Sequence, residues 1–176
     1  MDRQSLVCGL GRNDAEYNTA ACPFYRRWYG MLSRCATRGC ALAPEWRTFS
    51  AFRAWMIAQP WEGNQLDKDL LFLGNRVYGP TTCCFIPASI NAFITASTRP
   101  GGGWPVGVSC DGKAGGSVFI AWVANPFTRR VERLSPFSTP EEAHEAWRER
   151  KHQHACRYAD MQTDPRIAQA LRTRYA

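Results

Sequence analysis

The run Arg99-Pro100-Gly101-Gly102-Gly103 limits this chain's fold more than any other stretch. Proline and successive glycines read as a linker, placed at 99–105, which divides the 176 residues into two small domains, each with a modest core. Ahead of it, residues 1–21 look like an irregular arm. From Pro23, Phe24, Trp28, Met31, Leu32 and Cys35 recur at helical spacing, with Arg27, Arg34 and Arg38 on another face. A second helical pattern puts Phe49, Phe52, Trp55 and Met56 on one side and stops at Pro60. Apolar pieces on either side of Gly74-Asn75 predict a β-hairpin, and Pro87 followed by Ile90, Phe93 and Ile94 predicts a helix. The first domain, 22–98, is therefore helical at its start and closes with strand, turn, strand, helix.

Beyond the linker, Gly107–Cys110, Ser117–Val123 and Arg130–Leu134 read as three short strands. Thr139-Pro140-Glu141-Glu142 is a capping box with proline at the first helical position, opening a helix to about Tyr158. The second domain, 106–160, is then a three-stranded antiparallel sheet braced by one helix. Asp164-Pro165 starts a last short helix within 161–176. The fold class is α+β.

A net charge of +7 suits a polyanionic partner, because each phosphate neutralised releases counterions. The eight cysteines come without a secretory h-region or an apolar run long enough for a membrane span, so the expectation is a cytoplasmic protein with reduced thiols and no membrane partner. Structural zinc is not expected. Cys22, Cys35, Cys40 and Cys83 form no C-x-x-C pair, and Cys83 and Cys84 would point to opposite faces of a strand. His144, His152 and His154 do not share one helical face, which favours solvated or capping roles.

Two groups of residues carry a family likeness. Cys22-Pro23-Phe24-Tyr25, Trp28, Arg34-Cys35, Glu45-Trp46, Leu66-Asp67-Lys68-Asp69, Gly74-Asn75, Tyr78, Pro80 and Cys83 together resemble phage HNH endonucleases, whose core is a ββα-metal finger. Gly107-Val108, Phe119-Ile120-Ala121, Leu134, Phe137 and Thr139-Pro140-Glu141-Glu142-Ala143 resemble the Apetala-type, ethylene-response-factor-like DNA-binding domain. The first likeness implies a ββα-metal hairpin and helix, a phage-infected bacterial cell and, for an active enzyme, Mg²⁺ or a similar divalent ion. The second implies a sheet that lies in the major groove of double-stranded DNA.

Cleavage in such a nuclease needs a general base, normally a histidine at the end of the first strand. Lys68 stands in that place, and a protonated lysine is a poor base unless desolvation lowers its pKa. Asp67 and Asp69, two apart on a strand, would face one side and hold the metal, with Asn75 nearby. Those four residues are the candidate catalytic set. For DNA, the candidate phosphate contacts are Arg26, Arg27, Arg34, Arg38, Arg129, Arg130 and Arg133.

With Phe119, Ala121 and Val123 toward the helix, the opposite sheet face carries Val118, Ile120, Trp122 and Val131, where DNA-reading side chains would be expected. An apolar face of that kind marks an interaction surface. The leading reading is a DNA-binding protein of HNH ancestry with cleavage weak or lost. The alternatives are a module that binds a host protein through that apolar face and inhibits a nucleic-acid enzyme, and a working metal-dependent endonuclease. The sequence leaves the oligomeric state open.

Overall fold

The computed structural model describes residues 6–95, 103–113 and 116–176 and has the α+β architecture predicted above. Its contacts fall into two units, Met1–Pro87 and Ala88–Ala176. Of the linker expected at 99–105, residues 99–102 lie outside the described residues. The helix that follows the hairpin, expected in the first domain, groups with the second unit.

In the first unit, helix α1 (Pro23–Arg38) starts with proline at its first turn and ends at Gly39, whose φ of 63° lets the backbone turn left-handed where a β-carbon would be strained. Its Trp28, Met31, Leu32 and Cys35 enter a core with Trp46, Phe49, Phe52 and Met56. Trp46 belongs to a 3₁₀ turn, Pro44–Arg47, and the others to helix α2 (Phe49–Ile57). The Trp28 indole donates to the Trp46 carbonyl at 2.7 Å, so the largest buried ring keeps its one polar group satisfied.

From residue 6 onward the N-terminal arm is irregular as expected, but it is docked. Arg12 N donates to Arg47 O at 2.7 Å, and Asp14 accepts from Ser50 N at 2.9 Å, giving the first turn of α2 a cap from a distant part of the chain.

Strand β1 (Ala41–Leu42) pairs in parallel with a strand at Val77–Tyr78, and β2 (Asn64–Asp67) pairs antiparallel with a strand at Cys84–Pro87. These later strands are β3 and β4 in chain order. The hairpin expected around Gly74-Asn75 is thus wider than the pattern suggested. Gly74 and Asn75 lie inside the long β2–β4 connection, because Val77 and Tyr78 find their partner in β1.

The second unit begins with α3 (Ala88–Thr95) and continues with an antiparallel sheet of β5 (Val108–Lys113), β6 (Gly116–Ala124) and β7 (Val131–Arg133), with β6 in the middle. Val108, Phe119, Ala121 and Val123 pack on Ala143 and Trp147 of α4 (Pro140–Asp160), as the alternation in β6 predicts. Gly107 is required here: a β-carbon on it would lie 2.0 Å from the Trp147 ring. The capping box is formed, with Glu142 N donating to Thr139 Oγ1 and Thr139 N donating to Glu142 Oε2, each at 3.2 Å. Helix α5 (Pro165–Thr173) closes the chain, capped by Asp164, which accepts from Arg166 N at 2.9 Å. Among the described residues no helix is long and apolar enough to cross a membrane.

Candidate functional site

The structure brings Asp67, Lys68, Asp69 and Asn75 together at the end of β2. Asp67 is buried, and its Oδ1 accepts from Asp69 N at 2.9 Å and from Leu70 N at 2.7 Å, which ends the strand in a tight turn. Asp69 therefore lies in the turn, and the two carboxylates do not share a strand face as their spacing suggested. Asn75 fastens the far side of the loop: its amide donates to Lys68 O and Val77 O, both at 2.8 Å, and its side-chain oxygen accepts from Val77 N at 3.0 Å.

Lys68 fills the centre of this arrangement. Its Nζ donates to Asp69 Oδ1 at 2.5 Å and to Asn75 O at 2.8 Å. Burial pulls its pKa down, but the Asp69 hydrogen bond and charge outweigh that, and the net shift is upward. Lys68 is thus held as an ammonium. Asp67 Oδ1 accepts from two backbone donors and Asp69 Oδ1 from that ammonium, so a divalent ion at this set would compete with those bonds. Among the described residues no group of three or more His, Cys, Asp or Glu converges as a metal site would require.

The seven candidate arginines fall into two places. Arg26, Arg27, Arg34 and Arg38 lie on α1. Arg34 is partly sheltered and donates from Nε to the Tyr78 hydroxyl at 3.0 Å, whereas Arg26 and Arg38 are exposed. Arg129, Arg130 and Arg133 cluster at the β6–β7 turn, all exposed. That turn is built on Asn125, whose Oδ1 accepts from Phe127 N at 2.9 Å and Thr128 N at 3.0 Å, and it holds Arg129 at a φ of 59°. Arg133 pairs across the sheet with Trp122 and places its guanidinium 5.9 Å from the indole, within cation–π range. Among the described residues none of the seven has a carboxylate partner; the ion pairs lie at Lys68, Arg148, Arg150, His154, Arg166 and Arg172.

On the sheet face away from α4, Val118, Trp122 and Val131 are 38 %, 41 % and 63 % exposed. Ile120, expected among them, is 3 % exposed. It has the right parity, but it lies midway along the central strand. The Trp122 indole donates to Ser109 Oγ at 2.8 Å, and Ser109 is the cross-strand partner of Ile120.

Sequence reasoning missed two buried polar groups on α4, Lys151 and His154. His154 is buried where a solvated or capping role was expected. His144 Nδ1 lies 2.9 Å from Val106 O, a loop carbonyl rather than a helix end. The signal for Lys151 was its place in the stripe Ala143, Trp147, Lys151, Ala155, Ala159, every fourth residue of the helix.

No family model, no curated protein and no solved structure matches this chain.

Proposed function

We propose that the chain is a double-stranded-DNA-binding protein of HNH-type ancestry, acting in the cytoplasm of a phage-infected bacterial cell, in which cleavage has been lost. The observation that carries the DNA reading is the set of seven arginines, on α1 and at the β6–β7 turn, that meet no carboxylate among the described residues. A guanidinium that is not spent on a protein carboxylate is available to a phosphate oxygen. The loss of cleavage is supported by the pinned Lys68 ammonium and by the bonds at Asp67 and Asp69 with which a divalent ion would compete.

Fluorescence anisotropy of labelled duplex across a salt series tests it. The logarithm of the affinity falls with the logarithm of salt at about 0.9 per phosphate contacted, and Arg129→Ala/Arg130→Ala/Arg133→Ala lowers that slope by roughly two to three. Absence of binding at low salt, or a slope unchanged in the triple variant, defeats the reading for this surface. Incubating a plasmid with Mg²⁺ tests the cleavage half: nicking that depends on Asp67 would restore the endonuclease.

A second reading rests on the exposure of Val118, Trp122 and Val131, a face suited to a host protein. If Trp122→Ala keeps DNA affinity but loses a co-purifying protein from nuclease-treated lysate, that reading replaces the first.

A further inference from the structure

The apolar stripe of α4 is interrupted by a cation. Lys151 is 4 % exposed, and its Nζ donates to Phe93 O at 2.9 Å, 3.5 Å from the Phe93 ring centre and 5.2 Å from that of Tyr175. An ammonium has three donors, and among the described residues one carbonyl is its only hydrogen-bond acceptor. Among the described residues no carboxylate pairs with it, and the charge that reaches it, Arg174, has the same sign.

Lys151 also lines a cavity of about 290 Å³ within the second unit. The walls are Ala92, Phe93, Ala124 and Pro126, and the polar groups besides the lysine are Ser89 and Tyr158. That volume is at the small end of ligand pockets, and the combination of apolar walls with one convergent charge is what such pockets use to orient a ligand. A buried cation without an anion is the costly half of an ion pair, and the missing half can come from a ligand. Apolar walls and a single ammonium do not suit a phosphate dianion, which needs several donors.

We propose that this cavity binds a small monocarboxylate with an apolar body, aromatic or short and branched, whose carboxylate pairs with Lys151 Nζ while its body packs on Phe93, Ala92 and Pro126. Binding takes up a proton. Burial, then the Arg174 charge, push the Lys151 pKa down to about 7, and a bound carboxylate restores the ammonium. Among the described residues the surrounding titratable and charged groups are His154 and Tyr158 on α4 and Arg174 and Tyr175 just after α5; α3 contributes the Phe93 carbonyl and Ser89 and no titratable group. Affinity therefore falls about tenfold per pH unit above 7.

The test is calorimetric titration of the full chain with phenylacetate and with its neutral isostere phenylacetamide, at pH 6.5 and pH 8.5. Phenylacetate binds at least about tenfold more tightly than the amide at the lower pH, weakens more than about tenfold at the higher one, and is lost in Lys151→Met. Ala92→Trp, which fills the cavity but leaves the lysine in place, also loses binding, and this keeps the test informative should Lys151→Met perturb the fold. Equal binding of the amide, a pH-independent affinity, full binding in Ala92→Trp, or no binding at millimolar ligand overturns the proposal.

Discussion

Lys68 in the first unit and Lys151 in the second are both sheltered from water, and their surroundings push them in opposite directions. Lys68 meets Asp69 Oδ1 and Asn75 O, and its charged form is favoured despite burial. Lys151 meets one carbonyl and aromatic rings, has no carboxylate partner among the described residues, and is driven down to about 7. A buried lysine's charge state is decided by its anionic partner rather than by burial itself. The first lysine ties a loop together, and the second is a charge that the fold bears at a cost.

Replacing each with an apolar side chain of similar length breaks the comparison most directly, because the signs should differ. At neutral pH and below, Lys151→Met removes a desolvation penalty, and urea unfolding should show a gain of roughly 2–4 kcal/mol. Lys68→Met removes the hydrogen bonds to Asp69 Oδ1 and the Asn75 carbonyl and should lose about 1–2 kcal/mol. If Lys151→Met is destabilising, the ammonium contributes net stability and the two lysines are alike.

The pH dependence sharpens the contrast by a smaller amount. The folded Lys151 pKa, about 7, lies below its ordinary value of 10.5, so between these values the unfolded chain binds more protons and stability rises with pH. The advantage of Lys151→Met should therefore shrink by about 1 kcal/mol per pH unit above 7, while the effect of Lys68→Met stays flat from pH 6 to 9. Asp69→Asn should turn Lys68 toward the behaviour of Lys151. Reductive ¹³C-methylation followed by NMR titration would show the Lys68 midpoint falling, and an unmoved midpoint would mean that Asp69 is not what holds the charge.

How far such features can be read in advance depends on how local their causes are. The α4 capping box, the stripe of α1 and the alternation of Phe119, Ala121 and Val123 are set by near neighbours along the chain, and each appears as the pattern predicts. The cradle at Asp67, Lys68, Asp69 and Asn75 was legible as a cluster, but its role was not. Whether Asp69 faces a metal or an ammonium depends on a turn made by Asp67's own backbone hydrogen bonds. The parallel pairing of β1 with β3 joins two-residue strands too short to carry a pattern. Lys151 is charged in sequence and apolar in setting only because Phe93 of α3 and Tyr175 near the C-terminus come to it from distant parts of the chain. Ile120 has the parity of an exposed residue and is nevertheless buried, which alternation along a single strand cannot show.

His154, one turn beyond Lys151, supplies the smallest and most discriminating test, because it does have a carboxylate nearby and is still pushed down. It is 3 % exposed, and its Nε2 lies 3.6 Å from Glu132 Oε2, too far for a hydrogen bond. Burial lowers its pKa, Glu132 raises it and Arg150 lowers it, with the net shift downward. Burial is the largest cause, and Glu132 is itself engaged, accepting from Asn125 Nδ2 at 2.6 Å and from Arg150 Nη1 at 3.3 Å. A partner counts only to the extent that it is not already shared. With the folded pKa below the unfolded one, the neutral imidazole contributes stability above about pH 6.5 that is lost as pH falls. Arg150→Met should release Glu132 toward His154, raise the imidazole midpoint in an NMR titration, and make the acid loss of stability shallower by a small amount. If the midpoint stays put or falls, sharing of Glu132 is not what separates His154 from Lys68, and burial alone would account for both groups on α4.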